Sequence, residues 1–402
     1  MCDENTIQTT DSTGNVEDDN FTFSLWDDEN LNLSLQVLRG IYAYGYEKPS
    51  PIQSRAIIPI LRGRDIIAQA QSGTGKSGTF VISSLELIDE KANETQVIVM
   101  SPTRELARQS LEVIKAIGTM TKIRSQLLIG GSPTEIDIDL LVNHVPHIVS
   151  GTPGRIFDMM RRKHLRTDKV KFMILDEADE MLSQGFKEQI YKIFQYLNSE
   201  IQIGLFSATL PVEITQLTSK FMRNPIKILV KQEMLTLQGI AQFYVAVEDD
   251  SQKYDTLKDL FSTLVISQAI IYCNSIKRVQ DLYDAMVHDE FPVAQIHSDL
   301  DEAKRKEIYE NFKGGSCRVL VSTDLFSRGI DVQQVSIVIN FDIPKSVHTY
   351  LHRIGRSGRW GRKGTAINFT SRRDFGRLKE LEEYYSTEIK ELPSDYANQV
   401  NS

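Results

Sequence analysis

The stretch RDIIAQAQSGTGKSGTFVISSLELI, residues 64–88, changes character twice. An apolar run of β type, DIIAQ, leads into a Gly-rich turn, and GTFVISSLELI after the turn is helix-like. Strand, turn and helix in this order are the unit of a parallel α/β sheet, in which ligands sit at the C-terminal ends of the strands. The general phosphate-loop pattern is Gly, four residues, then Gly-Lys-Ser/Thr. Here Ala70 stands for the first Gly, while Gly73, Gly75, Lys76 and Ser77 are in place, with Ser72 and Thr74 between. Glycines let the backbone curl so that its N–H groups face phosphate oxygens, and the helix start adds partial positive charge. Lys76 is then expected to reach the β- and γ-phosphates of ATP, and the Ser77 hydroxyl to ligate Mg²⁺.

The same switch recurs along the chain. Further runs of β type in the first half are QVIVMSP, PHIVSGTP, KFMILDEAD and QIGLFSAT; in the second half they are QAIIYCNS, PVAQIHSD, RVLVSTD, SIVINFD and TAINFTS. Helical patterns such as ELARQSLEVIKAIG (105–118) lie between them. The expected fold is α/β: two tandem lobes, each a parallel sheet with helices on both faces, joined by a short linker. ILVKQEMLTLQGI, residues 228–240, separates the two series. The expected division is an acidic disordered tail over 1–20, a first lobe over 21–230, a linker over 231–240 and a second lobe over 241–402. Nearly every candidate strand ends in a polar, charged or Gly-rich cluster, so function is expected along one edge of each sheet.

Composition agrees with a globular chain: 402 residues, 41% hydrophobic and 25% charged, enough for two domains. No apolar stretch approaches the roughly 20 residues needed to span a bilayer, and the N-terminus lacks the basic start and apolar core of a secretion signal. Cys2, Cys273 and Cys317 have no metal-ligand spacing and imply no disulfide framework, so a reducing, cytoplasmic setting is the default. The net charge of −8 argues against a polyanionic partner only if it is uniform. It is not: the first 38 residues hold no Lys or Arg, while RRKHLR (161–166) and HRIGRSGRWGRKG (352–364) are strongly basic.

A second stretch asks for a cation. LDEADEML (175–182) places four carboxylates directly after an apolar run. An acidic helix start is the plain reading. With GTGKS about 100 residues upstream, Asp176 is better read as a Mg²⁺ ligand and Glu177 as the base that orients the attacking water. Glu180 is left as a solvated acid at a helix start.

Together these residues resemble the DEAD-box RNA helicases, whose name DEAD spells at 176–179; the resemblance covers nearly all of the chain after about residue 21. It implies two RecA-like lobes and RNA-stimulated ATP hydrolysis. GYEKPSPIQ (45–53) is similar to the family's Q motif, which implies that Tyr46 stacks on adenine and Gln53 bonds its edge. PTRELA (102–107), the Gly130–Gly131 pair and TPGR (152–155) resemble its RNA-backbone motifs. From these the RNA contacts are expected at Arg104, Gly131, Thr152 and Arg155, with Arg305 and Thr323 in the second lobe. SAT (207–209) resembles the motif coupling ATP state to RNA strain, which implies roles for Ser207, Thr209, Asp179 and His352. STDLFSRGID (322–331) and HRIGRSGR (352–359) resemble two further motifs, which implies ribose binding by Asp331. Arg356 and Arg359, from the lobe without a phosphate loop, are expected to steady transition-state charge.

Subgroup wording such as SRGIDVQQVS and YYSTEIKELPSD resembles translation initiation factor 4A. This implies unwinding of short duplexes in mRNA 5′ structure, a monomeric chain, a scaffold partner from the cap-binding complex and no membrane. RRKHLRT and SATLP lean instead toward the exon-junction and ribosome-biogenesis relatives, which would be ATP-gated RNA clamps with a nuclear setting. Trp26 stands where the subgroup usually has Phe, and Glu302 where the family usually has Gln.

Overall fold

Eight short strands make the sheet of the first unit: β1 (Ile7–Thr10), β2 (Ile66–Gln69), β3 (Val97–Met100), β4 (Ser125–Leu128), β5 (Ile148–Gly151), β6 (Phe172–Asp176), β7 (Gln202–Ser207) and β8 (Ile226–Val230). Their order is β1-β8-β2-β7-β6-β3-β5-β4. All pairings are parallel except β1 with β8, where Ile7 lies opposite Val230. In this computed structural model the described residues are 7–10, 22–70, 73–183, 185–230, 240–263, 267–324, 335–357 and 364–393.

The period-2 alternation of a strand delivers side chains to two cores. Ile66 and Ala68 of β2, Val97 and Val99 of β3, and Phe172 and Ile174 of β6 enter one cluster. There they meet the helices Leu35–Ala43, Pro51–Leu61, Lys76–Leu87 and Arg104–Ile117. Their neighbours Ile67, Ile98, Met100, Met173 and Leu175 enter the other cluster. That face is covered by Pro153–Arg161, Lys187–Phe194 and Val212–Phe221. Both faces are buried, so the strands read as continuous apolar runs. Truncating a fully buried ring such as Phe172 to Ala would cost about 3–5 kcal/mol.

The second unit carries β9 (Ile240–Ala246), β10 (Ala269–Tyr272), β11 (Val293–Ile296), β12 (Val319–Ser322), β13 (Ile337–Asn340), β14 (Gly364–Thr370) and β15 (Lys390–Glu391). The order is β11-β12-β10-β13-β14-β9-β15, all parallel. Clustering of the chain divides it into Met1–Lys231 and Gln232–Ser402.

Three expectations need correction. The tail read as disordered over 1–20 contains β1, because β8 would otherwise be an edge strand with unpaired backbone groups. Ile228–Val230, read as part of the separating stretch, ends β8, and Ile240, placed in the linker, opens β9. Both strands are apolar and rich in β formers, IKILV and IAQFYVA, so the stretch read as a separator begins and ends inside strands. Residues 231–239 lie outside the described residues.

His147 sits fully buried before β5, its Nδ1 accepting the Arg124 N–H at 3.0 Å. Burial, aided by the Arg124 charge, holds its pKa below the ordinary 6.5. The folded state therefore keeps it neutral where the unfolded chain takes up a proton, so stability is full above pH 6.5 and falls as the pH drops below that value. Thermal melting should shift downward between pH 7 and pH 5, by up to about 1.4 kcal/mol per pH unit from this group. An NMR titration should find the His147 midpoint below 6.5; a midpoint at or above 6.5 would refute the assignment.

Candidate active site

β2 runs into the turn that precedes the helix Lys76–Leu87, whose N-cap is Gly75 at φ +104°. No side chain fits there: a Cβ on Gly75 would lie 2.5 Å from Ser50 Oγ. On the next turn a Cβ on Gly78 would lie 2.5 Å from Gln53 Nε2 and 2.8 Å from Tyr46 Cε2. The two glycines thus admit the segment 46–53 against the loop. Ser50 caps the helix Pro51–Leu61 in a capping box, with Gln53 Oε1 accepting the Ser50 N–H at 2.7 Å. Gln53 Nε2 donates to the Gly75 carbonyl at 3.3 Å. Gln53 is therefore a brace between the capping turn and the phosphate loop; one amide hydrogen and one lone pair remain for a base edge. Tyr46 stacks on Trp26 (6.4 Å, 19°) and meets Tyr44 edge-on at 4.9 Å. Trp26 is 1% exposed, so the Trp that replaces the usual Phe keeps an aromatic wall behind Tyr46. Gly73 and Thr74 are exposed at the loop and Ser77 is half-buried; Ser72 lies outside the described residues.

The order β2-β7-β6 sets the acidic corner beside this loop. Lys76 Nζ donates to Glu177 Oε1 at 3.1 Å, and both side chains are buried. Glu177 takes φ +50°, a left-handed conformation that costs a non-Gly residue energy and is typical of functional turns. Burial, then the charge of Glu177, pushes the Asp176 carboxyl up to about 7, with Lys76 opposing. A buried carboxylate pair with one lysine is short of positive charge, and this donor set, with the Ser77 hydroxyl, fits a hard divalent cation. Asp179 Oδ2 accepts the Thr209 hydroxyl at 2.5 Å, and the Asp179 N–H donates to Ser207 Oγ at 3.3 Å. Three of the expected coupling residues are thereby joined. Glu180 is a correction: it is 9% exposed and its N–H donates to Asp179 Oδ1, so it is not a solvated acid. The short helix Ala178–Ser183 packs onto β7 and buries it.

The remaining strand ends, β3, β5 and β4, gather the other first-unit residues. Arg104 opens the helix Arg104–Ile117 with Thr103 as N-cap, and its guanidinium lies 3.5 Å from where a Gly130 Cβ would stand. Gly131 turns the chain at φ +97°. Thr152 is the N-cap of Pro153–Arg161 and is half-buried. Arg155, expected to face phosphate, is instead bound within the protein. It forms an ion pair with buried Asp137 and donates to the Ser132 carbonyl at 2.8 Å. Asp137, raised in pKa by burial with Arg155 opposing, was missed in the sequence because nothing local marks it.

In the second unit Arg353 is the hub. It is fully buried and lies over the Tyr272 ring at 5.3 Å. It donates to Asp324 Oδ1 (2.5 Å), Asn340 Oδ1 (3.2 Å), the Asp342 carbonyl (2.7 Å) and Asn274 Oδ1 (2.8 Å). The helix Val347–Ile354 is thereby fixed to the ends of β10 and β13 and to the segment after β12. His352 lies on that helix, and Arg356 Nε donates to the His352 carbonyl at 3.1 Å. Thr323 follows β12 and is half-buried. Arg305, expected to face phosphate, is 8% exposed in the first turn of Glu302–Lys313. Glu302 opens that helix after the N-cap Asp301. Asp331 and Arg359 lie outside the described residues.

Residues 50–217 match the DEAD/DEAH box helicase family, and residues 252–361 match the helicase conserved C-terminal domain. The chain belongs to the DEAD-box ATP-dependent RNA helicases. It is 53% identical, over 91% of its length and 92% of the relative's, to the ATP-dependent RNA helicase eIF4A of Candida albicans. It is 52% identical, over 93% of both, to the ATP-dependent RNA helicase fal-1 of Neurospora crassa. Among solved structures, S. cerevisiae Dbp5 bound to RNA and ADP BeF3 superposes with a TM-score of 0.86 at 35% identity, covering 92% of this chain and 97% of that one.

For this DEAD-box helicase the two sheets are thus the two RecA-like lobes. Gly78 and Arg353 went unnoticed in the sequence, since one is a small residue inside a helix and the other a basic residue in a basic run. Gly78→Ala should raise the KM for ATP with little loss of thermal stability, because the added methyl displaces Gln53 and Tyr46. Arg353→Ala should destabilise the second unit by about 3–5 kcal/mol, since Asp324, Asn340 and Asn274 lose their shared cation. Steady-state ATPase kinetics check the first and chemical denaturation of each variant the stabilities.

Proposed function

We propose that this helicase opens short RNA duplexes during translation initiation, in the cytoplasm, using ATP with Mg²⁺. The observation that carries the proposal is the junction at the end of β7: Ser207 and Thr209 hold Asp179, two residues from Glu177, which holds Lys76. Hydrogen bonds at the two ends of the turn 177–179 thus connect the phosphate loop with the segment expected to sense RNA.

In this reading Lys76 binds the β- and γ-phosphates, and Ser77 and Asp176 hold the metal. Bound there, Mg²⁺ would neutralise charge on the phosphate oxygens. Glu177 orients the attacking water, and Arg356 and Arg359 stabilise the charge of the transferring group. Tyr46 and Gln53 select adenine, and Asp331 takes the ribose. Arg104, Gly131, Thr152 and Thr323 contact the RNA backbone without reading bases. Arg155 and Arg305 join these contacts, Arg155 held in place by its ion pair with Asp137.

Relatives named eIF4A match at 51–53% identity and relatives named fal-1 or FAL1 at 51–52%, so an ATP-gated clamp remains a second reading. The motif wording favours the initiation factor, and a scaffold of the cap-binding complex is the proposed partner of a monomeric chain. Affinity purification that recovers cap-binding scaffold proteins supports initiation; recovery of splicing or nucleolar proteins overturns it. Single-turnover strand separation with rapid RNA release separates a helicase from a clamp.

Glu177→Gln should retain ATP and RNA binding while slowing RNA-stimulated hydrolysis by roughly 10²–10⁴-fold, the usual contribution of a positioned base. Steady-state phosphate release measured beside nucleotide binding decides the matter: a normal rate in the variant removes Glu177 from this role.

A further inference from the structure

The segment Arg161–Lys171 is a basic stretch in an acidic chain, separate from the basic run at 352–364. Arg161, Arg162, Lys163, Arg166, Lys169 and Lys171 are all exposed, in a protein whose net charge is −8. Among the described residues its ion pairs are Arg161 and Arg162 with the single carboxylate of Asp158. Lys163, Arg166 and Lys169 face water without an acid partner at ion-pair distance. An aromatic ring is fixed beside them. The Thr167 hydroxyl donates to the Tyr196 carbonyl at 2.7 Å, and Tyr196, 41% exposed, meets Phe157 edge-on at 6.2 Å.

The position matters as much as the charge. The helix Pro153–Arg161 has its N-terminus at Thr152, on the RNA edge of the sheet, and its C-terminus at the basic segment. Nine residues of helix separate the two by about 13 Å. The segment then leads into the start of β6, at the end of the sheet opposite Asp176. It cannot belong to the backbone motifs at the strand ends, and its cations do nothing for the ATP site.

We propose that Arg161–Lys171 with Tyr196 is an accessory RNA-binding surface, which holds the flanking part of a strand whose central nucleotides occupy the motif edge. Exposed cations in a row neutralise phosphates, and an exposed ring beside them offers a stacking face that tolerates any base. The surface lengthens the RNA footprint and adds salt-dependent affinity for long RNA without touching hydrolysis. It rests on the RNA activity of the family and extends it to residues outside the motifs.

The test is the triple variant Lys163→Glu, Arg166→Glu, Lys169→Glu, compared with the unaltered chain on oligouridines of about 8 and about 40 nucleotides. These residues are exposed and unpaired, so the melting temperature serves as a control for folding. The dissociation constant for the long RNA should rise roughly tenfold or more, and the slope of log affinity against log salt should fall by about 2, from three lost phosphate contacts. Affinity for the short RNA and the ATPase kcat at saturating short RNA should be unchanged. Tyr196→Ala should weaken the long RNA with no change in salt slope. Unchanged affinity for the long RNA makes the segment a merely solvated face and overturns the proposal. Equal weakening of both RNAs overturns it as well, since the effect would then lie at the motif edge. An unaltered chain without RNA-stimulated ATPase on the short RNA would fail a different claim, that of RNA-dependent activity itself.

Discussion

The buried pair of Lys76 and Glu177 joins two strand ends 101 residues apart in sequence, and the rest of the first unit is arranged to make it possible. A parallel sheet brings every strand out at the same edge. The order β2-β7-β6 puts the phosphate loop and the acidic turn on either side of β7, with Ser207 between them. Two apolar cores hold the three strands in place from both faces. The lysine would be expensive to bury alone, and so would the carboxylates; together, with Asp176 kept near neutrality, they are tolerable. A site with this balance has a built-in demand for an anionic ligand beside Lys76 and a cation beside Asp176.

The same edge continues as β3-β5-β4, where the residues of the RNA motifs end up next to one another. With strands about 4.8 Å apart, the nucleotide end and the RNA end of one sheet are separated by only a few strand spacings. Ser207, Thr209 and Asp179 lie where the two halves meet. Buried polar hubs then fix the loops: Arg155 with Asp137 in the first unit, Arg353 with Asp324, Asn340 and Asn274 in the second. Each satisfies several partners at once, the condition under which buried charge sharpens a single conformation and does not simply destabilise it.

How much of this could be read from the chain depends on the range of the interaction concerned. GTGKS and DEAD were legible because the chemistry of a loop or turn is written in adjacent residues. The ten apolar runs were legible because burial on both faces removes polar residues from a strand, and each of them contains a strand of the structure. β1 was not, because IQTT is a strand only through its pairing with β8, which β2 holds on its other side. Glu180 was misread, and the ion pair of Arg155 was not foreseen, for one reason. A charged side chain looks solvated in a sequence, and only the fold shows whether a partner such as Asp137 waits inside.

By itself the amino-acid sequence determined the fold class and the family, and it marked the residues proposed to meet ATP and RNA. These depend on local periodicity, on glycines in short turns and on contiguous motifs, none of which needs distant contacts to be recognised. The tertiary structure alone decided which charges face water and which are held inside. It also decided that Gln53 braces the phosphate loop through the space left at Gly75 and Gly78, and that Arg353 anchors a helix. Strand order, which no local pattern encodes, brings such groups within hydrogen-bonding distance, and at that range burial and pairing fix what a charge can do.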